Sequence, residues 1–259
     1  MPWSRLGGPL GRVVPALMAV GTLIACWEVY VHAAAVSPTV LPAPSRVAAQ
    51  LVMQRDVLWP HVAHTLQATV LGFSLSLSAA FAFSILIDFV PAVRRALFPV
   101  FVISQTLPLV AIAPLVVLWF GFGLLPKILL VALVTFFPML VALVDGYDAT
   151  EPEVSALLAS MGASRRTIFF TARLPSAMPY FFAGLRISIT YAVVGAIFAE
   201  YSGARAGLGI YILNAKNNFR PDLVLAAVLV SACLTLCLVG GATLVQHLAM
   251  RWRRAGRPR

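Results

Sequence analysis

Few residues in this chain have the types and spacings that chemistry needs. His61 and His64 are three apart, but with His32 and His247 they form no H-E-x-x-H zinc pattern. Cys233 and Cys237 share a helix face at i and i+4. Two thiols make an incomplete metal site, so these and Cys26, all inside apolar runs, read as small packing residues. Neither Lys127 nor Lys216 follows a glycine, so the chain has no phosphate-cradling G-x-x-x-x-G-K-[ST] loop. Gly121-x-Gly123 and Gly207-x-Gly209 lack the later glycine of a dinucleotide fingerprint and read as turns. Neither a catalytic cluster nor a metal set emerges, which argues against an enzyme.

The other candidates are polar residues in apolar surroundings. The 259 residues are 61% hydrophobic and 11% charged, and mean hydropathy is +0.92. A soluble domain could not hide that much apolar sequence, so the solvent is a bilayer. Polar groups at membrane depth are functional candidates by default. Ser104, Gln105 and Thr106 precede Pro108 and Pro114, prolines that free backbone groups and allow a bend around a cavity. Ordinary helix–helix hydrogen bonding is the bland alternative. Thr190 and Tyr191 are a second pair of pathway candidates. Glu200 gates, orients or sits in water, and Asn214, Lys216, Asn217 and Asn218 are expected in an outer loop. Glu28 is expected to snorkel or pair near the outer interface.

The elements that must position these residues are membrane helices. Charge-free or nearly charge-free runs predict six spans at about 13–31, 65–87, 97–119, 127–145, 184–201 and 223–249. With the N-terminus inside, about 13 of the 19 Lys and Arg fall on the inner side, as the positive-inside rule requires. Both termini are then cytoplasmic. A short tail, 1–12, precedes the membrane domain, 13–249, and a basic tail, 250–259, follows it. The net charge of +10 lies between apolar runs and in Arg251, Arg253, Arg254, Arg257 and Arg259, which points to orientation and lipid headgroups rather than nucleic acid. The first span competes with a signal-peptide reading, in which Arg5 and Arg12 precede an apolar stretch and Ala33-Ala34-Ala35 follows it. After Pro42-Ala43-Pro44, Ser45 is a plausible N-cap for a short amphipathic helix with Val47, Leu51 and Val52 on one face.

The longest inner segment, 146–183, is too patterned for a bare loop. Asp148, Glu151 and Glu153 precede Val154, Leu157, Leu158 and Met161 at helical spacing. Gly162 stops or bends that helix. Ala163 leads to Ser164, a possible N-cap before Arg165 and Arg166, and Pro175 and Pro179 are expected to break the chain again. The apolar stripe needs a partner, either the chain's own helices or a groove on a separate cytoplasmic protein.

Gly162-Ala163-Ser164-Arg165-Arg166 followed by Leu174-Pro175 resembles the cytoplasmic loop of binding-protein-dependent ABC importer permeases. The family pattern is Glu-Ala-Ala, three residues, Gly, nine residues, Ile-x-Leu-Pro. Leu118-Trp119-Phe120-Gly121, Ala183-Gly184-Leu185-Arg186 and Gly207-Leu208-Gly209 extend the similarity over nearly the whole chain. It looks closest to the nitrate/sulfonate/taurine type, and Ser104–Pro108 with Ile187–Val194 looks most like permeases for thiamine-precursor pyrimidines. The Glu-Ala-Ala positions hold Ala156, Leu157 and Leu158 here, and the Ile position holds Ala172, so Glu153, one turn earlier, is the only nearby substitute for the glutamate.

The resemblance implies an all-α type I importer permease in the bacterial inner membrane, paired as a homodimer. It implies two cytoplasmic ATPase subunits that use ATP and Mg and grip the 146–183 loop, and a binding protein that delivers cargo from outside. The chain itself would bind no cofactor. A self-contained secondary transporter is the rival. It predicts inverted repeats and buried ion ligands, and the sequence displays neither.

Overall fold

The computed structural model describes residues 9–250. Residues 1–8 and 251–259, with Arg5 and the five C-terminal arginines, lie outside the described residues, and so do most of the two expected tails. Every regular element among the described residues is helical. In chain order they are α1 (Pro9–Ala33), α2 (Pro44–Met53), α3 (Arg55–Phe89), α4 (Pro91–Ser104), α5 (Leu109–Phe120), α6 (Leu124–Asp148), α7 (Pro152–Ser160), α8 (Arg165–Ile168), α9 (Leu174–Tyr201), α10 (Leu208–Asn217) and α11 (Pro221–Ala249).

Five helical runs are long and apolar enough to span a bilayer: Val14–Ala33, Arg55–Phe89, Leu124–Asp148, Arg165–Tyr201 and Pro221–Ala249. The expected third span is instead a bent pair, α4 and α5, meeting at 100°. The break falls at Gln105–Pro108, because Pro108 has no N–H to continue the ladder and takes the extended conformation that starts α5. The expected break at Pro175 and Pro179 is absent. Residues Phe169–Arg173 form one π turn, in which the Leu174 N–H reaches back to the Phe169 carbonyl. That wider turn leads straight into α9, with Pro175 in its first turn, where no N–H is required. One helix of 37 residues therefore runs from Arg165 to Tyr201.

The chain divides into two compact units, one made of the N-terminal stretch to Trp59 with Tyr211–Leu229, the other of Pro60–Ile210 with the residues from Val230 onward. In the first, Glu28 of α1 holds the start of α2. It accepts from the Ser45 N–H at 3.0 Å and the Ser45 hydroxyl at 2.6 Å, and lies 2.9 Å from His32 Nε2. Ser45 is thus no N-cap: Ala43 precedes the helix, Pro44 opens it, and the serine hydroxyl is spent on Glu28. Of the expected apolar face, Val47 is buried and Val52 is exposed.

In the second unit α6 packs along α9. Small residues allow the close approach: a Cβ on Gly146 would lie 2.7 Å from Ala177, one on Gly195 2.8 Å from Val134, and one on Gly184 would collide with Ala142. Met139, Leu140, Leu143, Val144 and Tyr147 of α6 form the core with Ala80 and Ile87 of α3, Ala177 of α9 and Phe169 of the π turn. All three cysteines are exposed, a correction to their reading as internal packing residues. They face outward from their helices, where lipid covers a membrane protein.

Candidate functional site

Two features stand at different levels of the second unit. The first is the segment between α6 and the long helix. Glu151 and Pro152 start α7, and Glu153 lies in its first turn. The helix ends in a Schellman motif: the Gly162 N–H donates to Ala159 O and the Ala163 N–H to Leu158 O, each at 3.0 Å. Gly162 takes φ +84°, and a Cβ there would meet no atom within 4 Å. Ser164 then caps α8, accepting from the Thr167 N–H at 3.2 Å, as its sequence position predicts. No residue of α7 is buried. Val154, Leu157 and Met161 stand 39%, 62% and 75% exposed. The chain's own helices thus leave this stripe uncovered. Beside it runs a groove of about 580 Å³, lined by Val154, Leu158, Pro175 and Tyr180; Leu174 is half-buried.

Arginines fasten the base of this segment. Arg173 Nη2 lies 2.7 Å from Asp88 Oδ1 and 3.6 Å from Asp148 Oδ1. Arg94 grips Asp148 with both guanidinium nitrogens, at 2.7 and 3.3 Å. Arg165 does not point outward to a partner. Its Nη1 donates to the Phe89 carbonyl at 3.2 Å and its guanidinium lies over the Phe89 ring. Beneath these charges Phe169, fully buried, meets the rings of Phe89 and Tyr147. Sequence reasoning placed Arg165 in the coupling loop, counted Arg94 and Arg173 only among the orientation charges, and missed Asp88. The signal was present: acidic residues at the C-terminal ends of α3 and α6, next to arginine-rich connections.

The second feature is a cavity of about 360 Å³ at the α4–α5 break, lined by Ser104, Gln105, Leu109, Val134, Tyr191 and Gly195 among others. The structure brings Ser104, Gln105 and Tyr191 together there. Thr106 and Thr190 are not in its lining; each hydroxyl is satisfied within its own chain segment, by Ile103 O and Arg186 O. The lining contains neither lysine nor arginine. It therefore offers an apolar chamber with an amide, a hydroxyl and an aromatic face, which suits a flat solute with polar edges.

Glu200 lies in neither place, and it is not in water: it is fully buried. The Gly209 N–H donates to its Oε2 at 2.7 Å, and the Thr65 hydroxyl lies 2.9 Å from its Oε1. Thr65 in turn accepts from the Leu208 N–H at 2.8 Å, and His61 Nδ1 accepts from the Gly207 N–H at 3.0 Å. Three successive amides of the Gly207–Gly209 loop are thereby satisfied by α3 and α9. Gly207 sits so close to the carboxylate that any side chain would collide with it. Asn214 lies exposed on α10. Of Asn214, Lys216, Asn217 and Asn218, named from sequence as a loop, the first three are helical, because α10 runs to Asn217. Among the described residues no group of three His, Cys, Asp or Glu could hold a metal ion.

The family described as binding-protein-dependent transport system inner membrane component matches residues 65–253. A probable ABC transporter permease protein of Haemophilus influenzae is 34% identical, covering 88% of this chain and 93% of its own. The formylaminopyrimidine transport permease protein ThiX of Halalkalibacterium halodurans is 31% identical over 90% of this chain and 93% of its own. The riboflavin transport system permease protein RibX of Chloroflexus aurantiacus is 32% identical over 96% and 91%.

Proposed function

This chain belongs to the inner membrane components of binding-protein-dependent transport systems, and from that premise we propose how it couples ATP to cargo movement. It is a multi-pass permease subunit of an ABC importer, a transport component rather than an enzyme, so the self-contained secondary carrier gives way. The family implies an ATPase and a substrate-binding protein as separate partners. In our reading two copies of the chain form the pathway, both termini are cytoplasmic, and two ATPase subunits consume ATP and Mg. Their surface grooves take the exposed stripe of Val154 and Leu157 on α7 with Met161 at its C-terminal end.

The observation that carries this reading is the single helix from Arg165 to Tyr201. At about 1.5 Å per residue it extends some 40 Å between the Gly162 joint and Tyr191 in the cavity. Its foot is locked by Arg173 to Asp88 and Asp148. A displacement of α7 by the ATPase dimer then moves the cavity wall as a rigid element, and the pathway alternates between two states biased by ATP.

For cargo we propose a neutral heteroaromatic solute, with a thiamine-precursor pyrimidine first. The relatives named for formylaminopyrimidine and riboflavin support a ring-shaped cargo. So does a chamber with Gln105 and Tyr191 and without a cation, which suits nitrate, sulfonate or taurine poorly. The test is ATP-driven uptake into proteoliposomes carrying the complete complex and its binding protein. Radiolabelled formylaminopyrimidine should accumulate. Taurine or alkanesulfonate uptake without pyrimidine uptake would overturn the cargo and leave the permease assignment standing.

A further inference from the structure

The turn between α10 and α11 carries a strained aromatic residue. It closes α10 with the same Schellman hydrogen bonds that close α7: the Phe219 N–H donates to Lys216 O at 3.0 Å and the Arg220 N–H to Ala215 O at 2.9 Å. The central position of that motif needs positive φ and normally holds glycine. At α7 it holds Gly162. Here it holds Phe219, at φ +53°. A bulky residue in the left-handed region is a genuine outlier and persists only where its surroundings over-determine it. They do so here. Arg220 Nε and Nη2 bond the two oxygens of buried Asp222 at 2.9 and 3.0 Å, and Arg46 Nε adds a third contact at 3.3 Å.

The strain yields no packing. The Phe219 ring is 79% exposed, more than any other large apolar side chain among the described residues. Its neighbours Asn217, Asn218 and Lys216 are exposed as well, and a recess of about 450 Å³ with Asn214, Asn218 and Arg220 in its walls opens alongside. A strained, pre-organised aromatic residue beside a polar recess has the form of an interface anchor. Two cations, Arg46 and Arg220, share one acidic residue, the buried Asp222, and Lys216 beside Phe219 in sequence is exposed, so the rim is positive. A membrane-interface ring would not need that fixed turn, and the partner it fits is one with an apolar pocket inside an acidic rim.

We propose that Phe219 is the anchor by which the cargo-loaded binding protein docks, inserting into an apolar pocket whose acidic rim faces Arg46, Lys216 and Arg220. Topology agrees: α9 crosses the membrane from the α7 side, so the turn before α11 belongs to the opposite side. The inference rests on the importer reading and deepens it.

The experiment uses the complete transporter in lipid nanodiscs, titrated with the binding protein that co-purifies with it, with stimulated ATP hydrolysis as readout. Phe219→Gly should raise the half-saturating concentration about tenfold or more, the scale of a lost anchor. Its melting temperature should stay level or rise, because glycine relieves the strained φ. Phe219→Leu should lie between the two. Benzoylphenylalanine at 219 should cross-link to the binding protein on illumination. Equal half-saturation for wild type and Phe219→Gly would overturn the docking role and leave the importer intact. A lower melting temperature for Phe219→Gly, or cross-links to lipid or to a second copy alone, would also overturn it. A wild-type transporter indifferent to the binding protein would bring down the importer reading and this inference with it.

Discussion

Replacing Gly162 tests the coupling segment by backbone conformation alone. At φ +84° with open space around the missing Cβ, side-chain volume costs nothing within this chain, while the left-handed conformation costs an L-residue about 1–2 kcal/mol. Asparagine tolerates that region best, alanine less well and a β-branched residue worst. Most of the effect should appear in docking. α7 has nine residues, none buried, and a helix that short is marginal in water. Its capped form starts close to balance with the frayed form, and 1–2 kcal/mol shifts that balance by a factor of about 5–30. Docking affinity scales with the fraction of competent conformer. The apparent affinity of detergent-solubilised permease for its ATPase should therefore fall roughly threefold in Gly162→Ala and up to about 15-fold in Gly162→Val, with Gly162→Asn nearest wild type. The assay is an ATPase titration followed by transport per ATP hydrolysed. The reasoning is refuted if asparagine is worse than alanine, since that order follows volume at the partner surface, or if alanine matches wild type.

Two further outcomes follow from the charged contacts. Arg173→Ala leaves Asp88 nearly buried without its 2.7 Å partner and should cost about 2 kcal/mol, between the exposed and buried limits for ion pairs. A double-mutant cycle with Asp88→Asn, read by thermal melting and by transport per ATP, should recover part of that loss; strict additivity would deny the coupling. Glu200→Gln keeps an acceptor for the Gly209 N–H and should melt close to wild type, whereas Glu200→Ala strands that amide, at about 1–3 kcal/mol; the Thr65 hydroxyl keeps the His61 carbonyl as its acceptor. Equal melting of the two variants would count against the hydrogen-bond account.

What was legible in the sequence is what local physics decides. Apolar runs marked the membrane helices because a bilayer admits only segments that satisfy their own backbone. Gly162 and Ser164 marked a helix end and a helix start through single-residue preferences, and both occupy those positions here. Ser104-Gln105-Thr106 marked a bend because Pro108 cannot donate, and the 100° break falls there. The errors have one cause, competition from a distant or membrane-specific term. Ser45 had the type of an N-cap, but Glu28, 17 residues earlier, claims its hydroxyl. Glu200 was left open between gating, orienting and sitting in water because its partner Thr65 lies 135 residues away. The start of α3, at Arg55 rather than near Thr65, was hidden because its first turns are too polar to be read as span.

The proline misreading bears most on function. In water, Pro175 and Pro179 would be expected to end a helix, and the inner segment would then be a separate piece tethered to the last spans. Instead the π turn at Phe169–Arg173 takes up the extra residue just before Pro175, and the helix continues. That turn is also where the fastening is densest. Phe169 sits buried between Phe89 and Tyr147, and Arg173 reaches Asp88 and Asp148. The same five residues thus solve a backbone problem and anchor the foot of the long helix. A loose joint there would let α7 move without moving Tyr191. A seamless α-helix would place Pro175 against an unbroken turn. Gly162 then turns the chain sharply between α7 and that fastening, with a left-handed φ and no side chain to hinder a partner. The proposed coupling needs a rigid foot beside that turn, and the interval between one glycine and one leucine-proline pair sets where the two fall.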